Sequence, residues 1–126
     1  MIAIVDYNAG NVRSVLNALH RLGAEAEVSA NPEVLKKADR VIFPGVGNAK
    51  HAMENLRERG LDKVLLELTQ PFLGICLGMQ LMCNHSEEGD TYCLHIFPEK
   101  VKRFEVDRSD PHMGWNELTD MTAHLL

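Results

Sequence analysis

The 126-residue sequence has few cysteines, no excess of basic residues and no long apolar run, and each shortage excludes a class of protein. Its three cysteines are an odd number at spacings that fit neither a CxxC metal site nor a disulfide framework, which indicates a reducing compartment. Thirteen basic side chains against 18 acidic ones leave no basic surface for non-specific nucleic-acid binding. The uncharged stretch at residues 70–86 is too short and too often interrupted by glycine and polar groups to span a bilayer comfortably. No basic segment precedes the apolar run 1–5, as it would in a signal peptide. We therefore expect a cytoplasmic protein that binds neither nucleic acid nor membrane.

The composition that remains is that of one soluble globular domain, with 45% hydrophobic and 25% charged residues. A chain of this length buries roughly two-thirds of its unfolded surface, which supports a core without disulfides. The histidines are scattered and never paired with cysteine or carboxylate in a metal-ligand motif, so we expect no metal and no cofactor.

Short apolar runs alternate with segments of helical period along the chain. Strands are predicted at residues 2–5, 24–29, 40–43 and 72–75, and helices at 12–22, 52–56, 61–68 and 77–83. Gly23 is expected to end the first helix. Strands that are apolar on both faces, separated by amphipathic helices, predict an α/β fold in which a mostly parallel sheet carries helices on both faces. Chemistry in such sheets collects in the loops at the carboxyl ends of strands, here 8–11, 44–47 and 74–78.

The segment GICLG at 74–78 has the G-x-nucleophile-x-G form of a sharp strand-to-helix turn. Without a Cβ at Gly74 and Gly78, the strand and the helix can approach the turn closely, and Cys76 can adopt strained dihedral angles. Its thiol would then lie at a helix N-terminus, where the dipole favours the thiolate. The alternative is a buried structural cysteine. Cys83 and Cys93 are interpreted as structural.

The longer segment GICLGMQL at 74–81 closely resembles the nucleophile segment of class I, triad-type glutamine amidotransferases. PGVG at 44–47 is similar to the oxyanion loop of that family, and SEEG at 86–89 lies at the expected distance behind the cysteine. PHMGWN at 111–116 resembles the signature of one branch, the glutaminase subunit of imidazole glycerol phosphate synthase. DYNAGN at 6–11 resembles the first loop of that branch, with Asn8-Ala9 where a glycine and a variable residue are more usual. The resemblance implies a flavodoxin-like fold and makes residues 1–126 the N-terminal portion of an apparently truncated amidotransferase domain.

The resemblance also implies a reaction. The Cys76 thiolate would attack the carboxamide carbon of glutamine, ammonia would leave, and a γ-glutamyl thioester would be hydrolysed to glutamate. The backbone N–H of Leu77, with that of Gly45 or Val46, would stabilise the oxyanion. In the family, a peptide of the loop that corresponds to residues 44–47 can change its orientation when the substrate of the partner subunit binds. Gly45 and Gly47 could equally be ordinary turn residues.

Glutamine recognition falls by resemblance on Gln80 and Glu88. Gln80 follows the nucleophile by one helical turn, so that both side chains share a helix face. The Glu88 carboxylate would pair with the α-ammonium of glutamine, and the alternative is an exposed acidic loop residue. Its neighbour Glu87 is interpreted as such a loop residue.

The implied partner is a (β/α)8-barrel cyclase subunit in a heterodimer, which uses the ammonia in histidine biosynthesis. Candidate docking residues are Asn11, Met113, Trp115 and Asn116. A tryptophan suits an interface anchor, although a buried core tryptophan is a serious alternative. His112 is not expected to act as the base for Cys76. PHMGWN argues against an amidotransferase that makes another nitrogen heterocycle.

The sequence departs from the family in its acid/base half. The family's histidine and orienting glutamate lie in a late His-x-Glu motif, and none follows PHMGWN here. Two hypotheses remain: a truncated copy of an active glutaminase, or an inactive module that only binds the cyclase. Negligible glutaminase turnover is expected from this chain in either case. The basic positions Lys100, Lys102 and Arg103 are interpreted as a solvated edge strand.

Overall fold

A computed structural model describes residues 1–105 and 113–120 of the protein. Its centre is a four-stranded, wholly parallel sheet in the order β2-β1-β3-β4. The strands are β1 (Ile2–Val5), β2 (Ala26–Ser29), β3 (Arg40–Phe43) and β4 (Phe72–Gly74). All four lie where the apolar runs predict them, and the α/β class is confirmed.

In the described part of the chain, five helices connect or follow these strands: α1 (Val12–Arg21), α2 (Pro32–Lys37), α3 (Ala49–Glu58), α4 (Leu61–Leu66) and α5 (Leu77–Met82). α1 ends as predicted, with Gly23 at a φ of 72° and its N–H donating to the carbonyl of His20 over 2.9 Å. α2, which has only six residues, is not among the predicted helices. Its signal was present: Asn31 caps the helix by accepting from the N–H of Glu33, and Pro32 follows at the first helical position.

Alternate side chains of the sheet face different layers. Ala3, Val5, Val41 and Phe43 are buried in a core with residues of four helices, α2 to α5: Leu35, Met53, Leu56, Leu61, Leu65, Leu77 and Leu81. The neighbouring strand positions, Ile2, Ile42 and Leu73, instead line an apolar cavity of about 340 Å³ with Leu19 and Leu22. Helices therefore cover both faces as predicted, but α1 contains no buried residue and leaves its face partly open.

A second sheet of three very short strands lies beyond α5, in the order β6-β5-β7. It contains β5 (His85–Ser86), β6 (Thr91–Tyr92) and β7 (Lys100–Val101). β7 is an edge strand, as expected for the basic segment. Within the described residues, no helix is long and apolar enough to cross a membrane.

Candidate active site

Cys76 occupies the turn between β4 and α5, with a φ of 53° and a ψ of −120°. Residues other than glycine rarely adopt a positive φ. Holding such a residue in this conformation costs about 1–3 kcal/mol, which contacts in the surrounding structure must offset. The thiol is exposed. The expected strained turn is thus present, and the alternative of a buried cysteine is wrong.

Both glycines of the motif are required by close contacts. A Cβ added to Gly78 would lie 1.8 Å from the carbonyl oxygen of Phe43, and one added to Gly74 would lie 2.7 Å from the Cα of Met79. Both contacts involve backbone atoms, so no side-chain rotation could relieve them. The predicted close approach of strand and helix is confirmed.

The loop 44–47 follows β3, which pairs with β4, so this loop lies directly beside Cys76. The Leu77 N–H donates to the Gly45 carbonyl oxygen over 3.2 Å. The Leu77 N–H of the implied oxyanion site therefore already has an acceptor in this arrangement. Gly45 is no ordinary turn residue, because an added Cβ would lie 2.1 Å from the hydroxyl of Tyr7 and 3.1 Å from the Gly78 nitrogen.

Tyr7 is a residue of this site that the sequence analysis missed. Its fully buried hydroxyl donates to the Pro44 carbonyl oxygen over 2.8 Å, and its ring packs on Phe43 with centroids 5.1 Å apart. Burial raises the pKa of Tyr7, and the charge of a Cys76 thiolate raises it further. The phenol thus remains a donor and fixes the start of the 44–47 loop.

A cavity of about 790 Å³ opens at Cys76. It is within the range of ligand sites in proteins. Its lining comes from four segments of the chain: Val46 and Gly47; Cys76, Leu77 and Gln80; Ser86, Glu87 and Glu88; and Val101, Lys102, Arg103 and Phe104. The structure brings together Val46, Cys76, Leu77, Gln80 and Glu88 of the predicted site, with Gly45 buried behind them. The interpretation of Lys102 and Arg103 as a solvated edge is incomplete, because both residues belong to the lining.

Glu88 is held in place despite its exposure. Its Oε2 accepts from the Ala49 N–H over 3.1 Å, its N–H donates to the Ser86 hydroxyl, and its carbonyl accepts from the Thr91 hydroxyl. Glu87 is exposed as expected, but its carboxylate accepts from the Arg103 N–H over 3.0 Å. This contact ties the loop 86–89 to the basic segment.

One His-x-Glu triplet, His85-Ser86-Glu87, is present in the sequence, but it precedes PHMGWN instead of following it. His85 Nε2 lies 2.7 Å from an oxygen of Asp90, and its ring packs edge-on against Tyr92. No histidine in the described part of the chain lines the Cys76 cavity. His112 lies outside the described residues.

The four candidate docking residues lie at the surface. Asn11 precedes α1 and accepts from the Ser14 hydroxyl over 2.7 Å. Met113 and Trp115 are 84% and 104% exposed, and Asn116 is exposed as well. The alternative of a buried core tryptophan is therefore wrong.

Comparisons with known proteins agree with this geometry. The family model "Glutamine amidotransferase class-I" matches residues 3–124, and the chain belongs to that family. A solved structure entitled "Crystal structure of glutamine amidotransferase" has the same fold, with a TM-score of 0.70 and 24% identity over 86% of this chain and 59% of that chain.

The chain is also similar to curated proteins named "Imidazole glycerol phosphate synthase subunit HisH". It is 56% identical to the one from Bacteroides thetaiotaomicron over 98% of this chain and 65% of that protein. It is 51% identical to the one from Idiomarina loihiensis over 93% of this chain and 60% of that protein. The chain thus spans less than two thirds of the length of these relatives.

Proposed function

We propose that this chain carries the nucleophile of a glutaminase that hydrolyses glutamine to glutamate and ammonia for imidazole glycerol phosphate synthase, in histidine biosynthesis in the cytoplasm. The family and the names of the curated relatives support this proposal. The observation that carries it is the exposed Cys76 in a strained turn beside the 44–47 loop.

In the proposed reaction, the Cys76 sulfur forms a bond to the carboxamide carbon of glutamine. The carboxamide oxygen becomes negatively charged as its double bond to carbon opens. When the C–N bond breaks, nitrogen takes a proton and leaves as ammonia. Water then adds to the thioester, the carbon–sulfur bond breaks, and glutamate departs. Gln80 and Glu88 line the same cavity, and Glu88 would receive the α-ammonium group.

The oxyanion needs the Leu77 N–H, which the Gly45 carbonyl occupies. Turning the peptide between Gly45 and Val46 by half a rotation would withdraw this carbonyl and present the Val46 N–H instead. Two donors would then face the developing charge. The arrangement described here is therefore the resting state of the proposed enzyme.

No histidine of the described residues lines the cavity, so we assign acid/base catalysis to a group outside this lining. The matched relatives extend well beyond the shared region, and we assign full turnover to that longer form. The 126-residue chain is expected to form a covalent bond at Cys76 but to release glutamate at a negligible rate.

The experiment is modification of Cys76 by a diazoketone analogue of L-glutamine, followed by mass spectrometry. The L-analogue should label Cys76 at least about tenfold faster than its D-enantiomer, because only the L-form places its ammonium at Glu88. Cys76→Ser should abolish labelling. Burial raises the pKa of Cys83 and of Cys93, so both thiols remain protonated near neutral pH and should react slowly with the analogue.

Equal labelling by the two enantiomers, or preferential labelling of Cys83, would contradict a glutamine site at Cys76. A normal rate of glutamate release from this chain, abolished by Cys76→Ala, would show instead that another group supplies the base.

A second candidate function is docking without catalysis on a (β/α)8-barrel cyclase. The observation that favours a docking role is the complete exposure of Trp115 and the high exposure of Met113. Tryptophan is prominent among the residues that dominate interfaces. Docking and glutamine labelling are separable properties, so an inactive module would show the first without the second.

A further inference from the structure

We propose that the first amide of α3, the N–H of Ala49, is a positioning group that orients the Glu88 carboxylate toward the α-ammonium of glutamine. This inference rests on the proposed function. It begins from a contact that spans 39 positions in sequence, the 3.1 Å hydrogen bond from the Ala49 nitrogen to Glu88 Oε2.

The other amides at the start of α3 are occupied. The Asn48 side chain caps the helix and accepts from the N–H groups of Lys50 and His51, over 2.9 and 3.4 Å. The Ala49 N–H remains, and it points to Glu88. A carboxylate at this end of a ten-residue helix also gains from the helix dipole.

The backbone around Glu88 is fixed independently of this bond. The hydroxyls of Ser86 and Thr91 hold its N–H and carbonyl, and both residues are almost completely buried. With the backbone and one carboxylate oxygen fixed, the side chain has a defined direction. Oε1 accepts no hydrogen bond from residues 1–105 or 113–120, so it is available to a ligand in the cavity at Cys76.

The same helix start adjoins the 44–47 loop, since Asn48 follows Gly47 directly. The proposed ammonium site and the proposed oxyanion loop thus share one anchor. A shift at the beginning of α3 would displace Glu88 relative to Cys76, which would separate the two ends of a bound glutamine from their partners.

Ala49→Pro removes this one donor. Proline is tolerated at the first position of a helix, and Asn48 already has the extended conformation that a following proline requires, with a φ of −90° and a ψ of 131°. Ala49 is fully buried, so added bulk needs a control. Ala49→Val adds the same number of heavy atoms and keeps the N–H.

The readout is the rate of Cys76 modification by the diazoketone analogue of L-glutamine at increasing concentration. Ala49→Pro should raise the half-saturating concentration about tenfold, the effect expected for one hydrogen bond to a charged group, and leave the limiting rate unchanged. Ala49→Val should change neither. Iodoacetamide and an analogue without the α-amino group should modify both variants at the wild-type rate.

Glu88→Asp gives a second test in case Ala49→Pro does not fold. It keeps the charge but shortens the side chain, so the carboxylate cannot reach the Ala49 N–H and the ligand together. Glu88→Asp should raise the half-saturating concentration of the L-analogue as much as Glu88→Gln does.

The positioning role would be overturned if Ala49→Pro and Ala49→Val had the same half-saturating concentration. It would also be overturned if Glu88→Asp kept the wild-type half-saturating concentration. Failure of the proposed function itself would look different, because the wild-type chain would then not distinguish the L-analogue from its D-enantiomer.

Discussion

Gly78→Ala tests the close approach of α5 to the end of β3, on which the position of Cys76 depends. The added Cβ would lie 1.8 Å from the Phe43 carbonyl oxygen, about 1.6 Å inside the 3.4 Å at which ordinary contact begins. Phe43 is paired with Gly74 in the parallel sheet, and its carbonyl accepts from the Ile75 N–H over 3.0 Å. The Phe43 backbone cannot move away from α5 without losing these bonds.

We expect Gly78→Ala to lower the free energy of unfolding by about 3 kcal/mol. Forcing atoms into a packed site costs about 1–3 kcal/mol, and a lost hydrogen bond costs about 1 kcal/mol more. Alanine returns up to about 1 kcal/mol through its higher helix propensity. The loss is a large part of the 5–15 kcal/mol typical of a domain of this kind.

Urea denaturation followed by circular dichroism measures this change. Gly114→Ala is the matched control, because an added Cβ there meets no atom of the described residues within 4 Å. Its free energy of unfolding should stay within about 0.5 kcal/mol of wild type. A wild-type denaturation midpoint for Gly78→Ala would show that α5 lies farther from β3 than described, and the geometry assigned to Cys76 would fail with it.

Two further predictions concern the loop beside Cys76 and the exposed tryptophan. Tyr7→Phe should destabilise the fold by about 1–3 kcal/mol in the same assay, because the Pro44 carbonyl loses its partner in a buried site, and an unchanged midpoint would refute that role. Trp115 is the one tryptophan of the chain, so its fluorescence should shift to the blue when a tryptophan-free cyclase barrel docks on it. Trp115→Phe should weaken docking about 30-fold, and binding without a spectral shift would place the interface elsewhere.

Local patterns predicted much of the fold. Apolar runs located all four strands of the parallel sheet, and the two glycines around Cys76 predicted the strained turn, because each signal depends on neighbouring residues alone. The contacts of Tyr7 with Pro44 and of Ala49 with Glu88 span 37 and 39 positions. No local pattern encodes such contacts, since they arise only when parallel strands place distant loops at one edge of the sheet.

The hydrogen bond between the Leu77 N–H and the Gly45 carbonyl should affect two reactions of Cys76 differently. Alkylation needs only the exposed thiol, whereas attack on a carboxamide creates an oxyanion that competes with the Gly45 carbonyl for the Leu77 N–H. Tyr7 holds the Pro44 carbonyl before this peptide, and the capped start of α3 follows it. Rotation is therefore confined to a short segment that includes the peptide between Gly45 and Val46. In the proposed enzyme, a partner that favours the rotated form would need to act on this segment alone, because Cys76, Gln80 and Glu88 already line one cavity.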